Sequence, residues 1–471
     1  MTQYKKALFL FQRDLRIQDN TALNLALEEA SEVVPLFIFN PKQCERNPFK
    51  SENAIQFMIE SLRSLDGEIK SAGGTLNCVY GNPADIVSDL LKRHGIDSVY
   101  FNYDITPYAR KRRDEIDSVC NRAGVDLVMA QDYYLTDPGV VETTSGKNYT
   151  KFTPYMRKVT EMIRSGAVAV DKPKTVSGSP LSSKGLPGTI TLAEAMRRFG
   201  GVGSPDRLVN GGREEALKRM RHLPSSVRDY ESTRNDLEDE TTQMSAYIKF
   251  GCVSIREVYY TFKETLPKKA SESLIRQLIW RDFYAQVLYF DPESLNRAMK
   301  PAYRKIAWPS GTASLLKAWK TGKTGFPIVD AGMREMAASG YMHNRARLIV
   351  GSFLPKTLLV NWQEGEKFFA QSLTDYDPAS NNGNWQWVAG TGTDSQPYFR
   401  ILNPFLQSAK YDPEATYIKK WVPELSDVPA KDIHNWGEKH SNYSISYPSP
   451  VVDYSSQKEK ALKLYASAVS S

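Results

Sequence analysis

The chain has 471 residues, of which 41% are hydrophobic, 24% charged and 11% aromatic, and its formal net charge is +7. This balance is typical of a globular protein of several domains, at roughly 100 to 200 residues per domain. It excludes a disordered chain, a fibrous repeat and a small scaffold held together by disulfides.

The first part of the chain alternates short apolar runs with segments of helical periodicity. Five strands separated by four helices predict a doubly wound α/β domain with a five-stranded parallel sheet over residues 1–130. The predicted strands are 7–11, 33–39, 75–80, 98–102 and 125–130, and the predicted helices are 20–30, 53–71, 83–94 and 107–123. The turn after the first strand, residues 12–16, contains no glycine. An ordinary dinucleotide site, in which glycine lets the backbone approach a pyrophosphate, is therefore not expected.

Residues 131–240 are rich in Pro, Gly, Ser and Lys and predict a long connector with short helices. From residue 241 the pattern is helical to the end of the chain. The predicted helices there include 271–290, 312–320, 327–339, 342–360 and 364–373. The sequence thus predicts an all-helical C-terminal domain over residues 241–471.

Four cysteines without a CxxC pair, and five histidines without ligand spacing, predict neither a disulfide framework nor a metal site. The first apolar run is too short for a signal peptide, and no run approaches the roughly 20 residues of a membrane helix. We therefore expect a cytoplasmic protein, or a nuclear one if the source is eukaryotic, that does not interact with a membrane.

Charge and tryptophan are distributed unevenly along the chain. Residues 1–150 carry a net charge of −4 and residues 151–471 carry +11, and all eight tryptophans follow residue 279. Three segments combine amides, charges and aromatic rings: 277–284, 342–348 and 375–387. Such groups are costly to bury unless they bind a ligand or one another. The simpler alternative for any one residue is that the indoles anchor a core and the acids cap helices.

The three segments together predict a cleft that stacks bases and holds a flat polar cofactor. Helical spacing places Gln277, Trp280, Arg281 and Tyr284 on one face of a helix. Trp280 and a second indole, Trp387, supply stacking surfaces, while basic side chains neutralise phosphates.

Motifs along almost the whole chain resemble those of the photolyase/cryptochrome flavoprotein family, and most closely those of its class I, bacterial-type cyclobutane-dimer DNA photolyases. The motifs are 11–20 (FQRDLRIQDN), 148–154 (NYTKFTP), 280–284 (WRDFY), 322–330 (GKTGFPIVD), 343–345 (HNR), 381–387 (NNGNWQW) and 392–394 (GTD). The resemblance implies an N-terminal α/β antenna domain and a helical domain that binds FAD and ultraviolet-damaged DNA.

The resemblance also implies roles for individual residues. Those implied to bind FAD are Tyr230, Thr241, Thr242, Met244, Ser245, Arg347, Asp375, Asp377 and Asn381. Among them, Asn381 would face the flavin N5, and Asp375 would pair with Arg347 beside the ring. The chain that carries electrons to the flavin would run outward through Trp385, Trp362 and Trp308. The residues implied to bind the lesion or its strand are Gln277, Trp280, Arg281, Asn344, Arg345 and Trp387.

The implied reaction is driven by light: excited FADH⁻ gives an electron to the dimer, the cyclobutane bonds split, and the electron returns. Two positions depart from the usual pattern of the cyclobutane-dimer enzymes, which have Glu where this chain has Gln277 and Met where it has Leu348. The (6-4) photolyases share the Gln but use a His pair at the positions of Asn344 and Leu348. We therefore expect cyclobutane-dimer repair, with (6-4) repair as an alternative.

Two further functions stay open at this point: a cryptochrome-type blue-light sensor, and a light-independent binder of single-stranded nucleic acid. The second chromophore could be a deazaflavin, a folate or none, and no residue is assigned to it. We expect the protein to be a monomer.

Overall fold

The computed structural model describes residues 2–174 and 180–470. Its N-terminal part contains one parallel sheet of five strands in the order β3-β2-β1-β4-β5. The strands are β1 (Ala7–Phe11), β2 (Val33–Phe39), β3 (Asn77–Tyr80), β4 (Ser98–Asn102) and β5 (Asp126–Ala130). All five predicted strands are present, and the predicted doubly wound topology is confirmed.

Helices connect these strands, and side-chain caps mark where they begin. The helices are α1 (Thr21–Glu29), α2 (Pro41–Cys44), α3 (Glu52–Ser71), α4 (Pro83–His94) and α5 (Pro107–Ala123). Asn20, Ser51, Asn82 and Thr106 each accept a hydrogen bond from a backbone N–H in the first turn of the following helix, which satisfies a donor that the helix itself leaves free. Only the single turn α2 was not predicted.

The central strands are buried on both faces, as expected for a parallel sheet covered by helices. Every residue of β1 and of β4 is buried, whereas β5, at the edge, is partly exposed. One apolar cluster on this sheet includes Leu8, Val34, Val99 and Phe101.

Helices are the regular structure of the rest of the described chain, as predicted from residue 241 onward. Beyond β5 the described residues form isolated β-bridges but no further strand. The helices are α6 (Phe152–Ser165), α7 (Leu192–Phe199), α8 (Arg213–Arg221), α9 (Tyr230–Thr233), α10 (Ser245–Phe250), α11 (Ile255–Thr265), α12 (Lys268–Phe290), α13 (Ala313–Lys320), α14 (Pro327–Ser339), α15 (Asn344–Lys356), α16 (Trp362–Ser372), α17 (Pro378–Ala389), α18 (Pro404–Tyr411), α19 (Thr416–Trp421), α20 (Ala430–Ile433), α21 (Trp436–Lys439) and α22 (Tyr454–Ser470). None of the helices in the described part of the chain is long and apolar enough to cross a membrane.

The chain divides into two compact units. The first comprises the chain up to Gly203 together with Val209–Leu223 and Thr242–Pro292, and the second comprises Ser204–Leu208, Pro224–Thr241 and Glu293–Ser471. The functional division predicted at residues 130 and 240 stays a prediction. Residues 175–179 of the predicted connector lie outside the described residues.

Within the first unit, a buried ionic network joins α11 to the sheet. Asp132, just beyond β5, forms ion pairs with both Arg16 and Arg256, and Arg256 also pairs with Asp19 at 2.8 Å. Burial would raise the pKa of Asp132, but the two guanidinium groups hold it at about 2. Because each buried charge has partners, the helix and the sheet pack as one unit.

The second unit is built around tryptophans. Trp319, Trp362, Trp385 and Trp436 lie in its main hydrophobic core. These four indoles are therefore core residues, as the simpler alternative from the sequence predicted. An indole of this core can also contribute to a binding site if its N–H has no hydrogen-bond partner within the protein.

Candidate functional site

Helix α17 begins at the acid-rich segment that the sequence singled out. Asp377 caps this helix, its carboxylate accepting from the backbone N–H of Ser380, and Pro378 occupies the first turn. Asn381 and Trp385 are four residues apart, so both lie on one face of the helix.

The side chain of Asn381 is held in one orientation. Its Nδ2 donates to the backbone carbonyl of Glu366 on α16 at 3.1 Å. The Oδ1 has no hydrogen-bond partner among the described residues. The amide therefore presents an acceptor, and this acceptor can bind an N–H of a cofactor.

Trp385 is buried, but its indole N–H has no hydrogen-bond partner. The ring packs edge-on against Phe369, with centroids 4.9 Å apart, and a Cβ at Gly365 would lie 2.2 Å from its Cη2. The indole thus needs a glycine on α16. The Thr374 hydroxyl is likewise buried without a partner. Because buried donors are usually satisfied, these two atoms fit a polar cofactor that completes the site.

Arg347 and Asp375 form the predicted ion pair. The Arg347 Nη2 lies 3.0 and 3.2 Å from the two carboxylate oxygens of Asp375. The Arg347 Nε donates to the carbonyl of Met342, and its guanidinium lies over the ring of Tyr341 at 5.4 Å. Burial lowers the pKa of Arg347, but the charge of Asp375 outweighs this and keeps the pKa above its usual value. A fixed ion pair therefore lies beside the segment that leads to Asn381.

The N-terminus of α15 carries a cation without an acidic partner. His343 caps this helix through Nδ1, so the exposed Asn344 is its first residue. Arg345 donates to the side-chain oxygen of Asn235 and lies over the ring of Tyr411 at 4.2 Å. Among the described residues it forms no ion pair. Burial lowers its pKa, and the charge of Arg234 lowers it further.

Arg234 was not identified from the sequence. It too forms no ion pair among the residues that the structure describes, and its Nε is buried without a partner. Two guanidinium groups that influence each other, neither of which is paired with a carboxylate in the described part of the chain, favour binding of an anion such as a phosphate. In the sequence, Arg234 is a single arginine in a polar segment. Nothing in that pattern indicates that it influences Arg345, which is far away in the chain.

A buried polar network underlies α17 and was also not predicted. The Glu366 Oε1 accepts from Asn382 at 2.9 Å, and the Oδ1 of Asn382 accepts from Gln386 at 3.1 Å. Burial raises the pKa of Glu366 to about 7. Glu366 therefore has two roles. Its backbone carbonyl holds the side chain of Asn381, and its carboxyl group holds Asn382 on α17.

The other predicted indoles of the second unit differ in burial. Trp362 is buried at the start of α16, whereas Trp387 and Trp308 are half-buried at the edge of the same core. Trp308 packs edge-on against Tyr465, with centroids 6.0 Å apart.

The predicted lesion-binding residues of the first unit lie on α12. Trp280 stacks on Phe152, with centroids 3.5 Å apart, so one face of the indole is covered. Arg281 donates to the carbonyl of Tyr133 and lies over the ring of Tyr134. Gln277 is half-buried, and its Nε2 makes a long bond of 3.3 Å to the Ser273 carbonyl.

The predicted phosphate-binding stretch is divided between the two units. Tyr230 and Thr241 belong to the second unit, and Thr242, Met244 and Ser245 belong to the first. The Thr241 hydroxyl lies 3.1 Å from that of Tyr341. Ser245 is exposed, whereas the side chain of Met244 is buried, which leaves only its main chain available to a ligand.

Among the described residues, no three His, Cys, Asp or Glu side chains form a group that could hold a metal ion. The four cysteines are free and buried.

Comparison with known proteins matches most of the chain. Residues 7–175 match the family described as DNA photolyase, and residues 274–467 match the FAD binding domain of DNA photolyase. The deoxyribodipyrimidine photo-lyase of Alkalihalophilus pseudofirmus is 36% identical to this chain. The similarity covers 97% of this chain and 96% of that protein.

Two solved structures are similar to the chain. The archaeal photolyase of Sulfolobus tokodaii, described with two FAD molecules and a novel light-harvesting cofactor, gives a TM-score of 0.87 at 37% identity, over 98% of this chain and 100% of that one. A cryptochrome of Synechocystis also gives 0.87, at 25% identity, over 98% and 99%.

Proposed function

The chain belongs to the DNA photolyase family, and from this premise we propose that it is a deoxyribodipyrimidine photo-lyase that splits cyclobutane pyrimidine dimers in ultraviolet-damaged DNA with light. Full-length relatives with that name support the enzyme class. The match of residues 274–467 supports FAD as the cofactor. When bound, reduced FAD supplies the light-driven electron that opens the cyclobutane ring.

The observation that carries this proposal is the orientation of Asn381. Because the Glu366 carbonyl engages its Nδ2, the amide offers an oxygen to a protonated ring nitrogen and places no negative charge there. The Arg347–Asp375 pair and the unpaired N–H of Trp385 lie in the same unit. These residues hold the cofactor and favour its reduced, anionic form.

The lesion is bound by aromatic rings and hydrogen-bond donors. In the first unit, Trp280 offers a stacking surface for an extruded base, and Gln277 offers an amide donor for a thymine carbonyl that takes on negative charge. In the second unit, Trp387 offers a further stacking surface for a base. Asn344 contacts the lesion, and Arg345 contacts a phosphate of its strand. Phe152 supports this role for Trp280, because it stacks on one face of the indole and holds the ring rigid.

Three indoles serve a separate task, the reduction of oxidised flavin before repair. When FAD is bound, Trp385, Trp362 and Trp308 would pass an electron towards it in steps, and a reductant in solution would restore the half-buried Trp308. Trp308 suits the outer end of this relay, because it is half-buried whereas Trp385 and Trp362 are buried.

A second chromophore on the first unit would be a deazaflavin, a folate or none; the Sulfolobus tokodaii relative carries a second FAD. The protein acts as a monomer in the cytoplasm.

A cryptochrome-type light sensor is the second candidate, favoured by the similarity to the Synechocystis cryptochrome. A sensor would bind FAD and respond to light without removing lesions.

One assay separates these functions. The purified protein is mixed with ultraviolet-damaged DNA, and cyclobutane dimers and (6-4) products are counted with and without blue light. We expect a flavin absorption spectrum and a loss of cyclobutane dimers in light alone. Loss of (6-4) products alone identifies the other repair class, and a yellow protein without repair identifies a sensor. A colourless protein that binds single-stranded DNA in the dark contradicts all three.

A further inference from the structure

The segment 390–403, called the 390–403 loop below, folds back on the end of α17. The backbone N–H groups of Gly390 and Gln396 both donate to the carbonyl of Trp387, at 3.3 and 3.4 Å. Phe399 on this loop is 64% exposed, an unusual position for a large aromatic ring. The loop therefore joins an exposed ring to the helix end that carries Trp387.

A buried lysine at the end of α15 is hydrogen-bonded to the loop. Lys356 is the last residue of α15 and only 1% exposed, and its Nζ donates to the backbone carbonyl of Arg400 at 3.0 Å. It forms no ion pair with any residue in the described part of the chain. An ammonium group without a carboxylate is costly to bury, and an apolar side chain of similar length would fill the space at lower cost.

The charges that act on Lys356 are themselves positive. They are Lys300, from the segment before α13, and Arg400, from the loop itself. Burial lowers the pKa of Lys356 to about 8, and these two cations contribute to the shift. The ammonium form, which donates the stronger hydrogen bond, thus gives way to the neutral amine just above neutral pH.

We propose that Lys356 is a positioning residue for damaged DNA: by holding the Arg400 carbonyl, it keeps the 390–403 loop in the arrangement that binds the strand around the lesion. This inference rests on the proposed function. Lys300 secures the start of the same loop, because its Nζ donates to the Gly390 carbonyl at 3.2 Å. The two lysines hold the loop at both ends, and the exposed Arg400 donates from its guanidinium to the Gln396 side chain of the same loop at 2.8 Å.

The experiment measures the Kd for a duplex with one cyclobutane thymine dimer, in the dark, at pH 7 and pH 9 and constant ionic strength. Wild type is compared with Lys356→Met and with Lys367→Met, which removes the same charge from an exposed position on α16. Repair per absorbed photon is then measured at saturating DNA.

We expect Lys356→Met to bind about tenfold more weakly at pH 7, the loss of one charge-assisted hydrogen bond. Wild type should bind more weakly at pH 9 than at pH 7, and Lys356→Met should lose this difference. Lys367→Met should retain it, and repair at saturation should stay unchanged in both variants.

A Lys356→Met protein with the affinity and pH profile of wild type overturns the inference. If this variant does not fold, the wild-type profile decides, because equal affinity at pH 7 and pH 9 also overturns it. A wild type that binds and does not repair in light contradicts the proposed function instead.

Discussion

Replacing Asn381 by Asp tests the orientation of the side chain that carries the functional proposal. The substitution keeps the shape of the side chain but removes the donor that bonds to the Glu366 carbonyl at 3.1 Å. It also directs a carboxylate oxygen at that carbonyl. Loss of a buried hydrogen bond with an acceptor left unsatisfied costs about 1 to 3 kcal/mol of unfolding free energy.

The same substitution affects the cofactor more strongly than the fold. Two unit charges 4 Å apart interact by about 4 kcal/mol at an effective dielectric constant of about 20. A carboxylate beside a reduced, anionic ring disfavours reduction by up to that amount. We therefore expect Asn381→Asp to lower the midpoint potential of the bound flavin and to reduce the fraction held in the reduced state.

The matched control is Asn384→Asp, on the same helix but exposed. The Nδ2 of Asn384 also donates to a helix carbonyl, that of Ser380 at 2.8 Å. Spectroelectrochemical titration and urea unfolding of both variants give the two quantities. If Asn381→Asp leaves the midpoint potential equal to that of the control, the amide does not face the reduced ring and the reasoning is refuted.

Three further predictions concern other residues. Gln277→Glu should raise the yield of dimer repair per absorbed photon, because a protonated carboxyl stabilises a charged carbonyl better than an amide, by about 1 kcal/mol; an unchanged yield contradicts the role of Gln277. Glu366→Gln should stabilise the fold above pH 7. Burial raises the pKa of this carboxyl from 4.5 to about 7, so its contribution to stability, up to about 3 kcal/mol, is complete below pH 4.5 and is lost as the pH rises to 7. The free energy of unfolding in urea should therefore differ less between pH 5 and pH 8 in the variant than in wild type. An equal difference in both proteins contradicts this role of Glu366. Trp362→Phe should slow light-driven flavin reduction, seen by transient absorption, while repair by chemically reduced enzyme stays normal; equal reduction rates would remove this indole from the relay.

The fold was predictable because its signals are local. Each strand is a short apolar run, and side chains such as Asn20 and Thr106 mark the residue at which a helix begins. Asp377 could be identified as a cap from the Pro that follows it. Such patterns depend on neighbouring residues, which one sequence contains in full.

The site was only partly predictable because its contacts join distant residues. The Arg347–Asp375 pair followed from resemblance and is present. The Glu366 carbonyl that orients Asn381 had no signal, since a main-chain acceptor leaves no trace in residue type. Phe152 on Trp280 likewise joins two helices that are far apart in the chain.

The central claim is that absorption by the bound flavin drives dimer splitting, and an action spectrum measures this directly. Purified protein with reduced FAD is irradiated at single wavelengths in the presence of a duplex carrying one cyclobutane dimer. The account predicts a rate of dimer loss that follows the absorption of the bound chromophores and falls to zero in the dark. Dimer loss in darkness, or an irradiated sample that keeps all its dimers while the flavin absorbs, would contradict it.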